Sequence, residues 1–160
     1  MEAKAPNIVR VAVVCAIAVA VASVLACAAR AGGNVATCAP GVKTVDGASA
    51  RTFCGPAKAT VRLNGKTITY RGGSCSTSVG LFSLNLGTVV LSSVTNAPEY
   101  FGVTAKAKAG TQSRQTIAVV HAGKSQGVIG TVTLEPGLRS GSFSGKAFGS
   151  TATVSGSFSC

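Results

Sequence analysis

A chain of 160 residues whose first thirty are hydrophobic leaves room for one small domain and no second core. From Ala28 onward thirteen Lys and Arg face only Asp46, Glu99 and Glu135, so most of the net charge of +11 belongs to the domain and not to the leader. That excess draws anionic lipids and envelope polymers over roughly a Debye length. With no Trp, only Tyr70 and Tyr100, and scattered bases, it does not make a nucleic-acid face.

The run between Arg10 and Arg30 holds only Val, Ala, Ile, Leu, two Cys and one Ser. Uncharged and nearly long enough to span a bilayer, residues 1–27 are expected to form a hydrophobic helix that targets or anchors the chain. Three fates are open: retention as a single-pass anchor, cleavage near Ala29-Arg30-Ala31, or cleavage before a lipid-modified cysteine. Val24-Leu25-Ala26-Cys27 resembles the bacterial lipobox, in which the cysteine thiol accepts diacylglycerol and becomes the mature N-terminus. Cys27 is therefore the expected site of lipid attachment, including palmitate. Cys15 sits mid-run as a small hydrophobe. Lys4 and Arg10 are offset by Glu2 and faced by Arg30, so loop charge says little about orientation.

Residues 28–57 read as a spacer. Gly32 to Gly55 is rich in Gly, Ala, Thr and Pro and lacks a sustained apolar period. Cys38, Cys54, Cys75 and Cys160, with no CxxC among them, read as two disulfides formed in an oxidising compartment outside the cytoplasm. Four cysteines allow three pairings; the short stretch between Cys38 and Cys54 favours closing those two locally and leaving Cys75 for Cys160. The longer loop would contribute on the order of 4 kcal/mol by chain entropy.

The β domain is expected over 58–160. Asn64-Gly65 is the preferred pair for a two-residue type I′ hairpin turn. Pairing Leu63 with Lys66 sets Val61 opposite Ile68 and Ala59 opposite Tyr70, with Arg62, Thr67, Thr69 and Arg71 on the solvent face. Gly72-Gly73 suggests a bulge. Phe82, Leu84 and Leu86 alternate with polar residues; Thr88 to Val94 is apolar and suits a strand or a short helix. Strict alternation predicts a one-face strand from Phe101 to Gly110. Thr116–Ala122 and Gly127–Leu134 make a hairpin joined by residues 123–126, and Glu135-Pro136-Gly137 turns the chain again. Ser140-Gly141-Ser142-Phe143-Ser144-Gly145 returns as Ser155-Gly156-Ser157-Phe158-Ser159-Cys160, a last hairpin that lands Cys160 on the apolar face. Short alternating strands joined by turns predict an all-β fold, an antiparallel sandwich or a partly open barrel with two disulfides.

Val61-Arg62-Leu63-Asn64-Gly65-Lys66, Cys75 shortly after, and the stretch from Ser144-Gly145-Lys146-Ala147 to Phe158-Ser159-Cys160 resemble the mycobacterial-type lipoprotein antigens of the LpqH kind. The resemblance covers about the last hundred residues. It implies a structural Cys75–Cys160 disulfide, acylation at Cys27, and an envelope lipoprotein with adhesive or immunogenic behaviour at the extracytoplasmic face of the cell membrane. The Cys38–Cys54 loop and Leu25, where the lipobox prefers a small or β-branched residue, depart from that pattern.

No catalytic constellation is expected. His121 is the only histidine, on a predicted strand beside Ile117 and Val119, and there are neither paired acids nor GxSxG. No metal cluster or cofactor is expected either. The leading expectation is a non-enzymatic surface-interaction module. The alternatives are a carrier of lipid or glycolipid, using space among Phe82, Phe101, Phe143 and Phe158, and a single-pass anchored structural protein.

Overall fold

A computed structural model describes residues 38–92 and 94–160; the expected N-terminal helix and Cys27 lie outside the described residues. Ten strands follow: β1 (Gly41–Val45), β2 (Ala48–Phe53), β3 (Ala57–Leu63), β4 (Lys66–Ser78), β5 (Leu81–Val90), β6 (Tyr100–Lys106), β7 (Gly110–His121), β8 (Lys124–Leu134), β9 (Ser140–Ala147) and β10 (Thr153–Ser159).

Asn64 and Gly65 turn the β3–β4 hairpin in the expected register, with Leu63 opposite Lys66, Val61 opposite Ile68 and Ala59 opposite Tyr70. The register slips between Ala57 and Lys58, opposite Gly72, so the Gly-Gly pair forms a bulge. From β3 to β10 each strand pairs antiparallel with the next, and β10 returns to β3. The result is a closed eight-stranded up-and-down barrel, so the sandwich or partly open barrel expected from local patterns resolves into a form without free edges.

Period-two alternation fills the barrel. Ala59 and Val61, Phe82, Leu84 and Leu86, Phe101 and Val103, Val128, Val132 and Leu134, Phe143, Val154 and Phe158 all join one buried cluster. An eight-stranded barrel is just wide enough for its side chains to occupy it. Tyr70 stacks on Phe101 at 5.5 Å between ring centroids, Phe101 lies 5.0 Å from Phe143, and Phe82 stacks on Phe158 at 5.6 Å. Phe143 sits opposite Gly156, and Phe158 opposite Gly141. A Cβ on either glycine would run into the facing ring. The repeated Ser-Gly-Ser-Phe-Ser segment is thus two strands, each laying its ring across the other's glycine.

Residues 41–53, expected within the spacer, form the β1–β2 hairpin through an Asp46-Gly47 turn and dock on the far end of β5. Thr88–Val90 is strand, continuous with Leu81–Leu86 through Gly87. Gly87 takes φ 86°, and a Cβ there would meet the Glu99 backbone; past this point β5 leaves β4 and accepts β2. The strand expected from Phe101 to Gly110 ends at Lys106, because residues 107–109 are drawn into a turn. β7 in turn begins at Gly110, earlier than Thr116, and carries a bulge between Gln112 and Gln115.

Cys38 bonds Cys54 at the base of the β1–β2 hairpin, and Cys75 bonds Cys160. The second bridge ties β4 to the end of β10 past the start of β3, the strand that lies between them.

Candidate functional site

None of the ten strands contains an Asp or Glu. Asp46 and Glu135 stand in turns and Glu99 in the loop before β6, whereas the strands carry most of the bases. The barrel therefore has a cationic wall with its few carboxylates at the ends.

On β3, β10 and β9 and the first half of β4 the inward positions are mostly apolar or glycine and the outward ones Ser, Thr, Lys or Arg; β8 and β7 share the pattern in part, with Ile129, Ala118 and Val120 also facing outward. Register sets them in rows. Thr69, Thr60, Ser157, Ser142, Thr133 and Thr111 face one another across six strands in succession. On one side of this row lie Thr67, Arg62, Ser155, Ser144 and Thr131; on the other lie Arg71, Lys58, Ser159 and Ser140. Neighbouring members stand about 4.8 Å apart across the strands, and alternate residues along a strand about 6.7 Å apart. Within the long row Thr111 and Thr133 share a hydroxyl contact of 3.0 Å.

A shallow groove of about 290 Å³ runs between Lys58, Arg71, Thr60, Thr69, Ser157 and Ser159. Hydroxyls both donate and accept, while a guanidinium offers a fork of donors that matches phosphate or carboxylate oxygens. Such a wall can hold an oxyanion-rich chain without enclosing it.

His121 sits at the opposite end of the barrel from Cys160, at the close of β7. Its Nδ1 lies 2.9 Å from Oε2 of Glu99, while Oε1 of the same carboxylate accepts the Ala122 amide at 2.8 Å. An Ala97–Gly123 bridge joins the same two segments. The histidine thus helps tie the loop before β6 to the β7–β8 turn, and both side chains remain about half exposed. Among the described residues no three His, Cys, Asp or Glu side chains gather.

A second outer groove, about 460 Å³, lies between this loop and the barrel, lined by Val89, Val90, Tyr100, Ala118 and Val120 among others. Tyr100 crosses Gly102 and donates to Oδ1 of Asn85 at 2.7 Å, with Phe53 of β2 6.3 Å from its ring. Burial raises the Tyr100 phenol above its ordinary range.

The four cysteines of the β domain and its approach are all in disulfides, so none is available as a ligand or nucleophile. Arg62, Thr67, Thr69 and Arg71 occupy the solvent face that the hairpin pattern assigns them. The rows themselves have no signature in the linear sequence: β3 and β10 are about ninety residues apart, and only the barrel closure sets Thr60 beside Ser157. No family model, curated protein or solved structure matches the chain.

Proposed function

We propose that the chain is a non-enzymatic module of the bacterial cell envelope, held at the outer face of the membrane through its N-terminal segment, that binds anionic envelope polymers on its barrel wall. One observation carries this reading: rows of hydroxyls flanked by Lys58, Arg62 and Arg71, on strands that contain no carboxylate. Attraction from the net positive charge concentrates polyanions near the wall, and the hydroxyl rows supply short-range hydrogen bonds. Acylation at Cys27, an extracytoplasmic location and kinship with the LpqH kind of lipoprotein antigen belong to the same proposal. The four cysteines, all in disulfides, support export to an oxidising compartment.

Carriage of a hydrophobic ligand is a second reading, and the groove beside Tyr100 and Val120 is what favours it. The four phenylalanines that suggested an internal cavity instead fill the barrel against one another. A carrier would release lipid detectable by mass spectrometry from the purified protein, whereas an empty preparation argues for the wall alone.

Intact mass of the native protein tests the anchor. Loss of residues 1–26 with acyl addition at Cys27 is expected, and the mass of the full unmodified chain contradicts it. Retention on a long-chain polyphosphate matrix tests the wall. Retention that falls as salt rises, and that falls further in a Lys58→Gln, Arg62→Gln, Arg71→Gln variant, is the expected result.

A further inference from the structure

Four hairpins turn on an X-Gly pair whose two residues both have left-handed φ: Asp46-Gly47 (48°, 78°), Asn64-Gly65 (50°, 80°), Val79-Gly80 (49°, 74°) and Ala122-Gly123 (50°, 74°). This geometry matches the twist of the flanking strands, and Asn, Asp or Gly takes its first position at low cost. A β-branched residue there is an outlier, because its Cβ crowds the following carbonyl. Packing offers Val79 no compensation, since the residue is 97% exposed. The same chain places Asp46 and Asn64 at the equivalent position of two other turns. A side chain that strains the fold and is not packed into it points to a role outside the fold.

Its neighbours indicate that role. Leu81, 47% exposed, follows the turn and pairs with Lys106 across β5 and β6. The Ala107 amide donates to the Gly80 carbonyl at 2.8 Å, which sets the β6–β7 turn directly against the Val79 turn. Gln112 braces that second turn: its Nε2 donates to the carbonyls of Lys106 at 3.0 Å and Lys108 at 2.7 Å, and its Oε1 accepts the Lys106 amide at 3.0 Å. Lys106 and Lys108 are thereby held, exposed, beside two exposed aliphatic side chains. Neither turn contains a carboxylate.

We infer that this double turn is a docking tip for an anionic lipid surface. Val79 and Leu81 enter the boundary between head groups and acyl chains, while Lys106 and Lys108 meet the head-group phosphates. A soluble polyanion would engage the lysines but leave Val79 in water, so lipid is the partner that uses every part of the tip. Val79 and Leu81 belong to none of the hydroxyl rows, while Thr111 at the end of the long row shares a surface hollow with Lys106 and Lys108.

The chain has no Trp, so Leu81→Trp in the full chain supplies a single reporter. With vesicles of equal parts phosphatidylglycerol and phosphatidylcholine, its emission should shift to the blue and be quenched by brominated lipid several-fold more than with phosphatidylcholine alone. Adding Val79→Asn should abolish the shift and raise the melting temperature, a combination that separates lost docking from lost folding. Lys106→Gln with Lys108→Gln should remove the preference for anionic vesicles. A reporter at Phe148→Trp, 66% exposed at the other end of the barrel, should not shift. An undiminished shift with Val79→Asn, an equal shift with neutral vesicles, or the same shift with soluble polyphosphate overturns the inference. A wall variant at Lys58, Arg62 and Arg71 should leave the shift unchanged, so the two sites can fail separately.

Discussion

Tyr70 and Tyr100, the only tyrosines, lie on opposite sides of one barrel wall. Tyr70 points inward, stacked on Phe101, and its hydroxyl donates to the Val120 carbonyl at 3.1 Å. Burial pushes its phenol well above the ordinary range, and the Glu99 charge adds to the rise. A phenol whose pKa is raised by folding stabilises fully below the unfolded value of about 10; that stability is lost as pH climbs through the folded value. Alkaline titration of phenolate absorbance should show both tyrosines ionising late, and Tyr70→Phe should lessen the loss of stability above about pH 10. Ordinary titration of both groups in the folded protein would contradict the packing described for them. Gly156 poses a simpler steric question. A methyl group there meets the Phe143 ring and the Thr60 carbonyl, so Gly156→Ala should cost about 1–3 kcal/mol in denaturant unfolding, as overpacked positions do.

Local chemistry decides much at the scale of elements. The β3–β4 register is legible because Asn64-Gly65 specifies the turn and one face is apolar, so a one-residue slip would expose Val61 and Ile68. Asn64 does more than turn the chain. Its amide donates to the Thr153 carbonyl at 3.1 Å, and its Oδ1 accepts the Thr153 amide at 3.2 Å, fastening the turn to the start of β10. Asn64→Val should lower stability by about 1–2 kcal/mol through backbone crowding and the lost hydrogen bond, measured by denaturant unfolding. The mirror substitution in the β4–β5 turn should raise it. The β1–β2 hairpin was hidden for the converse reason: four of the five β1 residues are exposed, so no apolar period marks the strand. The end of β6 was hidden because Ala107 and Ala109 continue the alternation while Gln112 folds the backbone away from it.

Closure of the whole molecule depends on the pairing of β10 with β3, which no local pattern announces. The alternating strands, the bulge and the inward-facing Cys160 are readable one by one; the hydroxyl rows appear only once six strands stand in register. Cys75–Cys160 spans 85 residues and Cys38–Cys54 spans 16, so chain entropy assigns them about 4.5 and about 3 kcal/mol. The longer bridge also bolts β4 to β10 at the closure of the barrel, and replacing its cysteines by Ala should lower the melting temperature more than replacing Cys38 and Cys54. Equal losses would mean that the closure is held by the strand pairing alone.

The wall is the centre of the account. The most direct test is the salt dependence of binding to long-chain polyphosphate, compared between the natural chain and the Lys58→Gln, Arg62→Gln, Arg71→Gln variant. Affinity should fall steadily with rising ionic strength, and the variant should bind at least tenfold more weakly at low salt with a shallower dependence, about 1.4 kcal/mol at that factor. Binding indifferent to salt, or a variant that binds as tightly as the natural chain, would contradict it.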